Sequence, residues 1–416
     1  MRWISLPHVV LAAGLALVVA SGCGDSAAET LDVSATSPDQ DRPAKTGSDA
    51  VPPTVSIHPP FDHARSEPGT PPPAKGSPQW LLAELTRVRA EPAPETDAVE
   101  RLNADVGRRN RRIVALAEEA IAKTHNQPGD EPVFLAAVHH LLEARVQLAL
   151  QNDRESIVAL YDDAAALHER DPQGQAAVLA GAKLVEFARE MARRNSDREP
   201  RWLLEFARQA RLFAANHPDE KDRAAEMLDA AAWSCEAHGH VEEALGCYQL
   251  LQSDFEGTPQ ADQAVAIVRR LELQGRPLRL AGPTFDGGYI DLERDLHGKV
   301  ALVVFWDTRT RECLDLLPLI ADVHRRYESR GLAVIGISLD EDERVLEAAL
   351  DAGQFPWPTV FHAHRKLRRW NNPVVKFYGV RDIPELWLVD RDGSVVSTNV
   401  EPSRLDAVLA PLFPVN

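Results

Sequence analysis

The six residues Val300-Ala301-Leu302-Val303-Val304-Phe305 carry no polar side chain. A run this short and this uniformly apolar predicts a strand covered on both faces, the position of an inner strand in a parallel or mixed sheet. A second run, Leu332-Ala333-Val334-Ile335-Gly336-Ile337-Ser338-Leu339, has the same character, and a third, Leu386-Trp387-Leu388-Val389, leads into Asp390-Arg391-Asp392-Gly393. Asp-Gly pairs are turn signals, and another lies at Asp286-Gly287 between two short β-prone runs. Stretches of helical periodicity, about 10–18 residues long, separate the apolar runs. Strands alternating with helices predict an α/β sheet with helices on both faces for residues 276–416.

The order of these segments resembles the TlpA-type branch of the thioredoxin superfamily, close to the redoxin (AhpC/TSA-like) group. Phe285 to Leu292 matches its N-terminal hairpin, and His297-Gly298-Lys299 its entry to the central strand. Asp340 closes the next parallel strand, and Pro358-Thr359-Val360-Phe361 follows a helical stretch. Tyr378-Gly379-Val380-Arg381-Asp382-Ile383-Pro384 matches the loop that carries the superfamily's cis-proline. The resemblance implies a thioredoxin fold and, for an intact site, thiol–disulfide oxidoreduction.

The site is not intact. Where the family reads Phe-Trp-Ala-Thr-Trp-Cys-x-x-Cys, this chain reads Phe305-Trp306-Asp307-Thr308-Arg309-Thr310-Arg311-Glu312-Cys313. Thr310 stands in the place of the attacking cysteine, and only Cys313 remains. Disulfide exchange needs an attacking thiolate and a second sulfur to resolve the mixed disulfide, and a hydroxyl supplies neither. Arg309 replaces the family's tryptophan, and Leu316 replaces the glutamate that shuttles protons. Asp315 is one position away, about 100° around the helix. The expectation is a degenerate site without dithiol exchange, whose groove beside Pro384 binds an extended polypeptide between Trp306, Ile383 and Pro384.

A second reading is a one-cysteine peroxidase. Thr-x-x-Cys also resembles the peroxiredoxin pattern, in which the hydroxyl positions peroxide and the thiolate attacks it. Cys313 falls in the first turn of a predicted helix, where free N–H groups favour a thiolate; Arg309 and Arg311 would depress its pKa further and Glu312 pulls the other way, and an inert, partly buried Cys313 fits the same string. Against it, Trp306 occupies the position of the peroxiredoxin proline.

The N-terminus reads as a signal peptide: Met1-Arg2, an apolar stretch from Trp3 to Ala20, then Ala20-Ser21-Gly22-Cys23. That string resembles a bacterial lipobox, which implies cleavage before Cys23, lipidation of its sulfur, and a membrane-anchored lipoprotein facing the periplasm or cell exterior. Residues 24–77 are rich in Asp, Ser, Thr and Pro, with Pro71-Pro72-Pro73 near the end. Such a composition buries too little surface to offset its ordering entropy and predicts a disordered tether.

Residues 78–275 are helical in pattern, with amphipathic stretches at 133–150, 157–168, 176–191 and 202–215. Asp171-Pro172, His217-Pro218 and Thr258-Pro259 end successive helix pairs, 46 and then 41 residues apart. The last pair, with Ala225, Leu228, Ala232 and Cys235 followed by Gly239, Ala244, Tyr248 and Leu251, resembles a tetratricopeptide repeat. Such solenoids bind proteins or peptides on a concave face; a stalk or dimerisation element fits the same pattern.

Residues 276–416 hold 18 Lys and Arg against 21 Asp and Glu, so most of the net charge of −17 lies upstream. That acidity argues against nucleic acid as a partner. With Cys23 lipidated, Cys235, Cys247 and Cys313 remain; the first two either bridge or pack as small apolar residues between helices. His238-x-His240 and His362-x-His364 lack the further ligands a metal needs, and no cofactor is implied. Arg365-Lys366-Leu367-Arg368-Arg369 with Trp370 reads either as a solvated face or as a contact for an acidic peptide.

Overall fold

A computed structural model describes residues 73–92, 94, 98–125, 127–353 and 355–413. Cys23 and the segment read as a signal peptide lie outside the described residues, as does nearly all of the segment read as a tether. Among those described, no helix is long and apolar enough to cross a membrane.

The first region is built of antiparallel helices: α1 (Pro78–Arg89), α2 (Val99–Thr124), α3 (Glu131–Ala149), α4 (Arg154–Arg170), α5 (Gln175–Asn195), α6 (Arg201–Asn216), α7 (Lys221–Ala237), α8 (Val241–Asp254) and α9 (Pro259–Leu271). Each packs chiefly on its neighbours in sequence. Asp171-Pro172 and His217-Pro218 directly follow α4 and α6, whereas Thr258-Pro259 begins a helix four residues after α8 ends. Pro78 and Pro259 open α1 and α9, where a missing N–H costs nothing, and Ser77 and Thr258 accept the orphan amides of Trp80 and Ala261. Ala225, Leu228, Ala232 and Cys235 of α7 and Ala244, Tyr248 and Leu251 of α8 are fully buried on one seam. Small side chains there let the two backbones approach while Tyr248 and Leu251 fill the gap.

The chain then folds into a mixed sheet. A hairpin of β1 (Ala281–Pro283) and β2 (Tyr289–Asp291) turns at Gly287, whose φ of +84° suits glycine. After the single turn α10 (Leu292–Asp295) come β3 (Val300–Trp306), α11 (Arg311–Tyr327), β4 (Leu332–Ser338), α12 (Glu343–Gly353), β5 (Thr359–Val360), α13 (Pro373–Tyr378), β6 (Glu385–Val389), β7 (Val395–Ser397) and α14 (Leu405–Leu409). The five-stranded sheet runs β5-β4-β3-β6-β7; the first three strands are parallel, and β6 and β7 are antiparallel. This is a thioredoxin-like sheet, and β3 is its centre.

Alternation along β3 sorts the core. Val300, Leu302, Val304 and Trp306 face α11 and α14, while Ala301, Val303 and Phe305 face the side that holds Leu278, Leu280, Val375 and Tyr378. Every residue of β3 is buried, as its unbroken apolar run requires. Each large side chain so buried contributes roughly 1.5–3 kcal/mol. Both sheet edges are covered. Gly275 and Leu278 donate to Val395 and Gly393 beside β7, and Phe285 donates to Thr359 of β5. The helical region and the sheet belong to one compact unit, residues 71–416.

Candidate functional site

The junction from β3 to α11 is held by two buried carboxylates. Asp307 accepts from the backbone amides of Arg309 (3.1 Å) and Thr310 (2.7 Å). Asp340, just past β4, accepts from the Thr308 amide (3.0 Å), the Thr308 hydroxyl (2.5 Å) and the Ser338 hydroxyl (2.9 Å). The loop 307–310 is therefore fixed by side chain to backbone bonds. An aspartate two and three residues before the amides it accepts is an Asx-type turn, a signal present in Asp307-Thr308-Arg309-Thr310. Thr310 is the N-cap of α11, but its hydroxyl makes no capping bond.

Cys313 lies in the first turn of α11 and is completely buried, packed with Trp306 and Leu316. Burial pushes its thiol up to about 11, and the charges of Asp307, Glu312 and Asp340 add to that; only the Asp307 amide pulls the other way. This corrects the expected depressed thiol. Arg311 is 88 % exposed and pairs loosely with Asp315 (3.5 Å) instead of facing the sulfur. Carboxylates, not guanidinium groups, surround Cys313, and loss of hydration outweighs the helix N-terminus. The peroxidase reading loses its thiolate. Asp315 is also exposed, so the proton-shuttle position remains apolar at buried Leu316. Cys235 and Cys247 are buried and unpaired, so of the two readings the structure has packing residues; burial raises both thiols, Cys235 to about 12.

A groove of about 480 Å³ opens beside this junction. Asp307, Arg309 and Thr310 form one side; Asp382 and Ile383 form another, with Arg369 and Trp370 nearby. The Ile383–Pro384 peptide is cis, as the resemblance implies. The Ile383 amide is held by its neighbour's carboxylate, Asp382 Oδ1, at 2.9 Å. Ile383 and Thr310 thus meet at one groove. Trp306 does not: it is fully buried and packs edge-on against Phe355. Its even position in β3 turns it into the core beneath α11, and Trp370, 42 % exposed, is the aromatic residue that lines the groove.

The basic cluster divides. Arg368 is buried; its guanidinium donates to the carbonyls of His362, Ala363 and Glu341 and to Glu343 Oε2, and it lies 4.4 Å from the Phe361 ring centre. It is a strut between two loops and not part of a solvated face, while Arg365 and Lys366 are exposed and Arg369 is half-buried. Arg369 adopts φ +55° and precedes the exposed Trp370. The histidine pairs serve local turns: His364 Nδ1 accepts from the Lys366 amide, and His238 Nδ1 lies 2.8 Å from the Ser234 carbonyl. Among the described residues no group of three or more His, Cys, Asp or Glu is placed to hold a metal.

Residues 277–398 match the AhpC/TSA family. Thiol-disulfide oxidoreductase ResA of Bacillus anthracis is 26 % identical over 111 residues, covering 27 % of this chain and 60 % of ResA. ResA of Oceanobacillus iheyensis is 25 % identical over 123 residues, 29 % of this chain and 60 % of its own length. The chain thus spans about three fifths of the curated relatives it matches. Among solved structures, the thioredoxin domain of a thiol-disulfide oxidoreductase from Bacteroides vulgatus is 21 % identical, covering 34 % of this chain and 98 % of that one with a TM-score of 0.31. A thiol:disulfide interchange protein DsbE from Chlorobium tepidum is 23 % identical, covering 32 % and 92 %, with a TM-score of 0.28.

Proposed function

We propose that the redoxin-type thioredoxin domain of this chain is a polypeptide-binding module without dithiol exchange, held at the cell envelope by a lipid on Cys23. The relatives are thiol-disulfide oxidoreductases by name. This chain keeps their scaffold with a different residue at the reactive position. The observation that carries the reading is the pair Thr310 and Cys313: a threonine at the helix N-cap, beside the groove, and a completely buried cysteine whose pKa lies near 11. At pH 7 a thiol of that pKa is ionised to about one part in ten thousand. Attack on a disulfide or peroxide is thereby suppressed both by charge state and by access.

What the groove retains is suited to an extended chain. Ile383 lies two residues before Glu385, which pairs with Phe305 of β3, so a polypeptide seated there would add to the end of the sheet. Trp370 and Ile383 supply apolar surface, and Arg309 and Arg369 supply donors at the rim. The Ile383 amide is satisfied by Asp382 until a strand displaces that carboxylate. Binding therefore exchanges one hydrogen bond for another, so its energy comes mainly from apolar contacts.

Incubation of the protein with glutathione disulfide tests the redox half. Mass spectrometry should find no mixed disulfide on Cys313 in the native state and ready modification after unfolding. Rapid native modification would reinstate thiol chemistry and sink the reading.

A further inference from the structure

The groove-lining pair Asp382-Ile383, followed by the cis-proline Pro384, lies between two residues whose side chains reach the helical region. On the near side, Arg381 makes a two-pronged ion pair with Asp229 of α7, Nη1 to Oδ1 at 2.8 Å and Nη2 to Oδ2 at 2.9 Å. It also donates to the Tyr248 hydroxyl of α8 (3.2 Å) and lies 5.0 Å from the Trp233 ring centre. On the far side, Glu385 faces Arg270 of α9 at 3.5 Å and accepts from Trp387 Nε1 at 2.6 Å. Arg270 Nη2 in turn sits 2.7 Å from Glu236 of α7, whose other oxygen accepts from Tyr248.

The approach to this wall is clamped too. Arg269 donates to the Phe377 carbonyl and lies 4.0 Å from that ring, and Arg270 Nε donates to the Tyr378 carbonyl at 3.2 Å. Gly379, at φ +62°, passes so close to α9 that a Cβ would lie 2.8 Å from the Ile267 nitrogen. A bidentate guanidinium–carboxylate pair fixes direction as well as distance. In Arg381-Asp382-Ile383-Pro384-Glu385 the two end residues therefore address the helices, while Asp382 and Ile383 address the groove.

We propose that Arg381 and Glu385 are positioning residues that hold the groove-lining pair Asp382-Ile383 in its binding shape against α7, α8 and α9, which makes the last helical hairpin and α9 working parts of the groove. The proposal rests on polypeptide binding as the role of that groove. A stalk would need none of these contacts to converge on the one stretch 377–385. Asp229, Glu236 and Arg270 are then selected for the groove although they lie more than a hundred residues before it in the chain.

Hydrogen exchange on the full chain tests this without any ligand. In Asp229→Asn the amides of Val380 to Ile383 should exchange on the order of tenfold faster, and in Arg381→Lys less so, while β3 amides Leu302 to Phe305 stay unchanged. Anisotropy of a fluorescein-labelled, cysteine-free unfolded polypeptide should show weaker binding by Asp229→Asn in the same order. Unchanged exchange at the loop in both variants would overturn the proposal. So would acceleration spread equally into β3, which marks general loss of stability. If Asp229→Asn does not fold, Arg381→Lys decides by the same comparison. Because exchange is read on the free protein, its outcome is separate from whether the groove binds polypeptide.

Discussion

Replacing Glu385 by glutamine should remove a pH dependence that the wild-type protein carries. Around Glu385 the charges do not balance. Arg381 is committed to Asp229, and Arg270 is shared between Glu236, at 2.7 Å, and Glu385, at 3.5 Å. Three carboxylates thus face two guanidinium groups in a largely buried space. Burial raises the Glu385 carboxyl to about 7, with Glu236 and Asp382 adding to the rise; Arg270 and the bond from Trp387 oppose it. The folded state therefore holds this proton more tightly than the unfolded chain, where the ordinary value is 4.5. Below pH 4.5 the contribution is fully present, and it is lost as pH rises through 7. Complete ionisation costs about 3 kcal/mol at the upper end, an order-of-magnitude figure. The assay is urea unfolding of wild type and Glu385→Gln, followed by circular dichroism at pH 5 and pH 8. All other titrating groups are common to both proteins and cancel in the comparison. Stability should fall more steeply with pH in wild type, so that the difference in favour of Glu385→Gln widens by about 2.5 kcal/mol between pH 5 and pH 8. Parallel pH profiles in the two proteins would refute the buried, protonated carboxyl.

Thr310→Cys should recreate a cysteine pair on the first turn of α11 and, under mild oxidation, yield an intramolecular disulfide with Cys313, detected as the loss of two thiols and no dimer. A variant that stays fully reduced would show that the loop held by Asp307 and Asp340 cannot accept the bridge. Arg368→Met should destabilise the protein by roughly 2–4 kcal/mol, since it strands the carbonyls of Glu341, His362 and Ala363 together with a partner carboxylate; a change below about 0.5 kcal/mol in urea unfolding would contradict its role as a strut. Leu316→Glu should destabilise the fold by a similar amount with no gain of thiol exchange, because the carboxyl enters an apolar space beside a cysteine that has no partner; measurable insulin reduction by that variant would overturn the account of the site.

The sequence was most legible where one local pattern had one physical solution. The run from Val300 to Phe305 allowed only a strand with two covered faces, whereas Thr258-Pro259, read as the end of a helix pair, caps and opens α9. Thr310 and Ile383 line one groove, and the Ile383–Pro384 peptide is cis. Side-chain direction was less legible. Trp306 reads as a groove aromatic by its place in the motif, yet the strand's period of two turns it into the core. Cys313 reads as a thiolate from its helix position, but burial and nearby carboxylates decide its charge state, and neither is a property of the helix. Arg368 looked like one of four solvated cations, although its guanidinium fills the space between two loops. The clamp made by Asp229, Glu236, Arg270, Arg381 and Glu385 was invisible because its halves are brought together only by docking α9 on α13.

The most direct measurement is binding of a cysteine-free, unfolded, fluorescein-labelled polypeptide to the wild-type protein, to Cys313→Ser and to Ile383→Arg, read by anisotropy. A module that binds without thiol chemistry predicts equal affinity for wild type and Cys313→Ser, and at least a tenfold loss, about 1.4 kcal/mol, when arginine intrudes into the groove. Loss of binding in Cys313→Ser, or no binding by wild type, would contradict it.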